Sequence, residues 1–113
     1  MSLAIGLEAE AQCADYLSSQ GLTLVARNVK CRHGELDLIM RDGATLVFIE
    51  VKARRSRHFG GGLAAVTASK QQKLRHAAQW YLAHHKMTEA PCRFDVVEVN
   101  LNTQEFTWIR NAF

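Results

Sequence analysis

A chain of 113 residues with 48% hydrophobic and 22% charged content has the size and balance of one folded domain with a real core, which excludes extended disorder. No apolar run reaches the roughly 18–20 residues of a membrane span and no signal-peptide pattern precedes Leu3, so neither a span nor secretion is expected. The net charge of +3 mildly favours a polyanionic partner, while Cys13, Cys31 and Cys92, odd in number and without C-x-x-C spacing, point to reduced thiols, a cytoplasmic location and no zinc site.

From Leu3 to Gln20 the spacing predicts a helix, closed by Gly21 as C-cap. Leu3, Leu7, Cys13, Ala14 and Leu17 fall on one side, and Glu8, Gln12, Asp15 and Ser19 on the other. Glu10 breaks the pattern, lying three residues after Leu7 and three and four before Cys13 and Ala14. An acid on the packed face of a helix needs a cation, a hydrogen-bond network or a metal. Either Glu10 meets that need, or it snorkels to the edge of the face or pairs with Lys52. Glu8 reads as a solvated acid near the helix start.

Leu22 to Lys30 reads as a first strand, with Arg27-Asn28 marking its end or a bend. His33-Gly34 then turns the chain into a second strand running to Met40 or Arg41. Asp42-Gly43 is a hairpin dipeptide, so the second and third strands are expected to pair antiparallel. That pairing brings the region of Asp37 alongside Val47 to Glu50. Alternation puts Glu35 and Asp37 together, opposite Leu36, Leu38 and Met40. In the third strand it puts Leu46, Phe48, Glu50, Lys52 and Arg54 on one face and Val47, Ile49 and Val51 on the other. Both faces begin apolar, as in a central strand. A carboxylate half-buried there costs several kcal/mol unless compensated. By itself Glu50-x-Lys52 reads first as an ion pair on a strand end. An acid from each of two adjacent strands plus a lysine, however, is the composition of a divalent-metal phosphodiesterase site.

Arg54, Arg55, Arg57 and His58, followed by Phe59 and three glycines, read either as a phosphate-contacting loop or as a solvated basic loop. No G-K-[ST] follows, which excludes a P-loop. Thr67 or Ser69 caps a second helix reaching about His85, with Leu74, Ala77, Ala78, Tyr81 and Leu82 facing inward. Lys70 begins that face; Lys73, Arg75 and Lys86 fall on other sides, and Trp80 is core or surface. His84 and His85 diverge by about 100° and make a poor metal pair. Pro91 breaks the chain. Arg93 to Val99 is a fourth strand, parallel to the third through a right-handed crossover. Asn100 to Thr103 forms a turn, and Glu105 to Ile109 a fifth strand antiparallel to the fourth. Asp95, placed at the end of its strand away from Glu50, reads as a structural acid paired with an arginine.

The pieces Gly6-x-x-x-Glu10 with Leu17 and Gly21, Arg27-Asn28, Gly34-Glu35-Leu-Asp37-Leu-Ile39 and Val47-Phe-Ile-Glu50-Val-Lys52-x-Arg54 carry a resemblance that Phe59-Gly60, Lys70, Tyr81-Leu82 and Arg93-Phe-Asp95-Val complete. Over nearly its whole length the chain resembles the YraN family of small bacterial proteins, which has an expected restriction-endonuclease-like fold and a relation to archaeal Holliday junction resolvases. The resemblance implies a single α/β domain: a mixed β-sheet flanked by helices, with an α-β-β-β-α-β core to which the last strand is added. It also implies the nuclease acid–acid-x-lysine site, with Asp37, Glu50 and Lys52 in the signature positions and Glu10 in the resolvase helix position. Leu36 stands where the wider superfamily often has proline.

On this basis the expected function is metal-dependent endonuclease action on DNA, branched or otherwise non-standard. Asp37, Glu50 and the Val51 carbonyl would bind Mg²⁺ or Mn²⁺, with Glu10 joining directly or through water. Lys52 would orient the attacking water or stabilise charge on the phosphorus oxygens. Glu35 would support the ligands from behind, and Arg54, Arg55, Arg57 and Lys70 would hold flanking phosphates. The competing readings are a nucleic-acid-binding adaptor that keeps the fold and cuts nothing, and a protein-interaction subunit with vestigial acids. Cutting a junction would need two sites and therefore a homodimer.

Overall fold

Local turns and one helical crossover lay the strands side by side in the order in which they are made. In the computed structural model, which describes residues 3–55 and 66–113 with side chains from Ile5 onward, the elements are α1 (Leu3–Ser19), β1 (Thr23–Cys31), β2 (Gly34–Asp42), β3 (Thr45–Arg54), α2 (Ala68–His84), β4 (Cys92–Asn100) and β5 (Glu105–Ile109). Arg57, His58, Phe59 and glycines 60–62 lie outside the described residues. The sheet order is β1-β2-β3-β4-β5, antiparallel except for the parallel β3–β4 pair. The expected mixed sheet, flanked by helices and extended by a last strand, is what forms. Among the described residues no helix is long and apolar enough to cross a membrane.

Gly21 ends α1 as expected. At φ +103° it lets Leu22 N–H donate to Leu17 O at 3.1 Å and its own N–H to Ser18 O at 3.1 Å, a paired closure that satisfies two orphan carbonyls. Thr67, not Ser69, caps α2, its hydroxyl accepting from Lys70 N–H at 3.2 Å. The buried face of α2 is the expected Leu74, Ala77, Ala78, Tyr81 and Leu82, with Trp80 half-buried beside it.

Each helix covers one face of the sheet. Ala9, Cys13, Ala14 and Leu17 of α1 pack on Leu38, Met40, Val47, Ile49, Val51, Val97 and Val99. On the other face α2 meets Leu36, Ile39, Leu46, Phe48, Phe94 and Val96. The two faces of β3 are thus the ones that alternation predicts. Three expectations need correction. Leu7 is exposed, because at 100° per residue it lies about 100° from the centre of the stripe formed by Ala9, Cys13, Ala14 and Leu17, while Glu10 lies within about 40° of that centre.

The second correction concerns β2. Leu36 packs with α2 whereas Leu38 and Met40 pack with α1, so the strand changes face at Asp37. β1 changes face with it: Arg27 pairs with Leu38 and Val29 with Leu36, and the intervening Asn28 takes φ +52°. Regular alternation is a property of unbroken extended backbone, and Asn28 interrupts it.

The third concerns Asp95. It is level with Ile49, one residue from Glu50, and not at the far end of its strand. What separates it from Glu50 is the face it occupies, shared with Val97 and Val99. Fully buried there, it accepts from Arg93 Nε at 3.1 and 3.2 Å, Trp108 Nε1 at 2.9 Å and Asn111 N–H at 2.8 Å. The structural role and the arginine partner are as expected.

Candidate active site

The switch at Asn28 and Asp37 opens the sheet. β2 pairs with β3 from Asp42↔Thr45 up to Leu38↔Ile49; beyond that, β2 follows β1 while β3 follows β4. At the fork, Asp37 Oδ2 accepts from Val51 N–H at 2.9 Å, a carboxylate standing where a ladder carbonyl would otherwise stand. The separation leaves a cleft with two sides. One, of about 300 Å³, is lined by Gly6, Glu10, Asp37, Glu50, Val51, Lys52, Arg54 and Lys70 among others. The other, of about 270 Å³, is lined by Gly34, Glu35, Asp37, Glu50, Lys70, Lys73 and Leu74.

Glu50 is buried on the α2 side of β3, and its Oε1 meets Lys70 Nζ at 3.1 Å and Lys52 Nζ at 3.4 Å. Two ammonium groups at one carboxylate compete. Burial, then the neighbouring Lys70, lowers the Lys52 pKa against the pull of Glu50. Burial also pulls Lys70 downward, but its contact with Lys52 and the charge of Glu50 outweigh it and leave Lys70 raised. Lys52, the more enclosed of the two at 16% exposure against 40%, is the one that gives way.

Glu10 projects from the buried stripe of α1 into the cleft, and its Oε1 is buried without a hydrogen-bond partner. Burial and then the charge of Glu35 raise its pKa, opposed by a hydrogen bond from Asn28 and by Arg27. Asp37 is raised further, to about 8, by burial and then by Glu50, with the Val51 N–H opposing. Cys13 beneath them is pushed up to about 12 by burial and the charges of Asp37 and Glu10, which keeps it a thiol.

The cleft therefore gathers Glu10, Asp37, Glu50, Val51, Lys52, Arg54 and Lys70, while Arg55 is exposed and is not among the lining residues. Arg57 lies outside the described residues. Glu35, expected behind the ligands, instead brings a carboxylate oxygen into a group with those of Glu10 and Asp37, all within 4.8 Å of one another. Lys70, expected at a phosphate, pairs with Glu50. Two further residues escaped the sequence reading. Lys73 lines the cleft although helical spacing put it on another side of α2. Glu98 is buried level with Lys52. Its signal was present: an acid continuing the apolar alternation of Phe94 and Val96, the same kind of anomaly as Glu10.

Fold and cleft together define an α/β domain that carries acids and lysines at a fork in its mixed sheet. The family model described as uncharacterised protein family UPF0102 matches residues 9–99, and the chain belongs to that family. A UPF0102 protein of Stutzerimonas stutzeri is 51% identical over 111 residues, covering 96% of this chain and 92% of its own. Another from Nitrosomonas europaea is 50% identical over 109 residues, with coverage of 96% and 92%. A third, from Colwellia psychrerythraea, is 47% identical over 112 residues, with coverage of 96% and 87%.

Proposed function

We propose that this protein is a metal-dependent DNA endonuclease of the restriction-endonuclease-like kind, acting on branched or otherwise non-standard DNA. The observation that carries the reading is the buried, unpartnered Glu10 Oε1, aimed into a cleft that Asp37, Glu50, Lys52 and Lys70 also line. Hard oxygen donors with an unmet need for positive charge fit Mg²⁺ or Mn²⁺. Asp37, Glu50 and the Val51 carbonyl are the ligands, and Glu10 joins directly or through water. When bound, such an ion polarises a phosphoryl oxygen and acidifies water.

The chain's own groups supply the rest. Lys52, its ammonium form weakened by burial and by Lys70, orients the attacking water and offsets the charge that grows on the non-bridging oxygens. As the water oxygen gives up a proton to solvent and bonds to phosphorus, the bond to the 3′ oxygen breaks in line with it, and that oxygen takes a proton from a second water and leaves as a hydroxyl. Lys70, the more exposed lysine, is free to exchange Glu50 for a substrate phosphate. Arg54, Arg55 and Arg57 hold flanking phosphates, contacts that position DNA without reading its sequence. The reading carries with it a cytoplasmic protein, and a homodimer where the substrate is a four-way junction.

The test is cleavage of linear, flap and four-way-junction DNA with Mg²⁺ or Mn²⁺, against EDTA. Cutting is expected only with metal, and is expected to fall roughly 100-fold or more in Lys52→Ala, the scale of losing one donor to a developing oxyanion. DNA that is bound and never cut would make the protein an adaptor. No binding at low salt would overturn both.

A further inference from the structure

The exposed side of α2 carries a recess that the chemistry of the cleft leaves unused. It holds about 330 Å³, more than either side of the cleft, and is lined by His33, His76, Gln79 and Trp80. His33 comes from the turn between β1 and β2, and the other three from α2. The imidazoles of His33 and His76 stand 5.7 Å apart with their planes at 64°. Trp80 is half-buried, and His84 stacks on its indole at 5.1 Å with the planes 12° apart. That backing sets the ring before a ligand arrives, so little rotamer freedom is lost in stacking on it. Gln79 adds an amide that both donates and accepts. None of the lining residues is acidic.

Flat rings, an amide and no negative charge suit the face and the edge of a nucleobase. A transition metal is the other ligand that two histidines suggest, but such an ion takes three or four protein ligands. Among the described residues the one group of three possible metal ligands is Glu10, Glu35 and Asp37, in the cleft.

The recess also continues the cleft. Gly34 and Lys73, which line the cleft, are respectively next to His33 in sequence and one helical turn from His76. The two meet, since a Cβ added at Gly34 would lie 4.0 Å from Lys73 Cβ. Lys73, His76 and Trp80, three and four residues apart, share one side of α2. At 1.5 Å per residue, His76 and Trp80 lie roughly 5 and 10 Å beyond Lys73. That is one to three nucleotides of a strand, at about 3.4 Å each. A base within a duplex could enter only after being unstacked and unpaired, whereas an unpaired base enters without that cost.

We infer that this recess receives an unpaired base of a DNA strand whose backbone leaves the cleft past Lys73, the base stacking on Trp80 and the two imidazoles and meeting Gln79 at its edge. The recess thereby selects DNA with a single-stranded arm over uninterrupted duplex. The inference rests on the proposed function in taking DNA as the ligand, and names the feature of that DNA which is recognised.

Fluorescence anisotropy at low salt in EDTA, where no cutting is expected, tests it. The probes are a blunt duplex and a duplex of equal phosphate number that carries a thymine arm. Wild type is expected to bind the armed probe about tenfold more tightly, the scale of one stacked base. Trp80→Ala and His76→Ala are each expected to lose most of that preference, yet to bind blunt duplex as wild type does and with the same salt slope. Trp80→Phe, which keeps a ring, is expected to retain most of it. His76 is exposed, so its replacement leaves the core intact even if thermal melts show Trp80→Ala to be destabilised. An abasic residue walked along the arm is expected to weaken binding at one position, within about three nucleotides of the branch. Thymidine monophosphate is expected not to compete at the concentrations of the probe; full competition would make the recess a free-nucleotide site and overturn the inference. An arm preference unchanged in His76→Ala and Trp80→Ala, or no abasic position that matters, overturns it and leaves the endonuclease reading standing. No binding of either probe overturns both.

Discussion

Asp37 is a cleft acid whose charge is disfavoured by burial and by Glu50 together. Burial and Glu50 push its pKa to about 8, well above the roughly 3.9 of an unfolded aspartate. An acid with a raised folded-state pKa binds its proton more tightly in the native chain, so its ionised form is the destabilising one. That penalty is absent below about pH 4, grows as pH rises, and is complete above about pH 8. Glu10 shifts in the same direction. Asp37→Asn keeps an acceptor for Val51 N–H while removing the charge. It is expected to be more stable than wild type near pH 8 by about 1 kcal/mol, an ordinary single-mutation magnitude, and to show a flatter pH dependence. Urea unfolding at pH 5 and pH 8 measures both; equal stability of the two proteins at pH 8 would mean that the carboxylate is already compensated. At this scale Glu10 was legible, because an acid among Cys13, Ala14 and Leu17 at helical spacing has no cheap place to go. Glu35 in its present company and Lys73 were not. Alternation and helical period assign residues to faces, and both residues reach the cleft across an edge that neither period describes.

The element that makes the site is the paired irregularity of β1 and β2. Asn28 is the hinge of it, at φ +52° and within hydrogen-bonding reach of Glu10. Asn visits the left-handed region at modest cost, whereas a β-branched residue pays about 1–2 kcal/mol there. Asn28→Val is therefore expected to lower stability by about 1–2 kcal/mol or more, and Asn28→Gly by clearly less, in denaturant titrations of the two variants. If both cost the same, the backbone conformation is not what selects asparagine. The opposite device is Asp95, a buried acid that accepts from Arg93, Trp108 and Asn111. Asp95→Ala leaves Arg93 with Asp42 alone and deprives Trp108 Nε1 and Asn111 N–H of their acceptor; it is expected to cost about 1–3 kcal/mol while leaving Mn²⁺ uptake unchanged. Strand pairing could be read from the sequence because each connection announces itself locally: Asp42-Gly43 turns with Gly43 at φ +61°, and a helix-long crossover forces β3 and β4 parallel. Arg27-Asn28 marked a bend, and Asn28 at φ +52° is one, but that it turns β2 over at Asp37 could not be read, since β1 runs on to Cys31 and alternation within β2 gives no sign of it.

For the whole molecule, charge is the quantity that a nucleic acid would meet first. The net +3 is small, so binding depends on where the cations stand. Arg54 lines the cleft and Arg55 does not. Replacing Arg54, Arg55 and Arg57 by alanine is expected to weaken binding to all duplex sequences alike, and to reduce the slope of log K against log salt by about 0.9 for each phosphate no longer neutralised. Arg54→Ala alone is expected to account for one such step. Fluorescence anisotropy across a salt series reads the slope, and an unchanged slope in the triple variant would show the arginines to be merely solvated.

The irregularity that opens the cleft also bears on association. β1 is an outer strand of the sheet, and an outer strand with Leu24 and Val25 exposed would ordinarily be a template for a neighbouring chain. Val25 is an extra residue in the register, lying between Leu24↔Met40 and Ala26↔Ile39, and Asn28 breaks the extended run again a few positions on. No straight stretch of unpaired amides and carbonyls long enough to seed continuous strand addition is left along that border. The irregularities of β1 thus also blunt that edge of the sheet against fibrillar self-pairing.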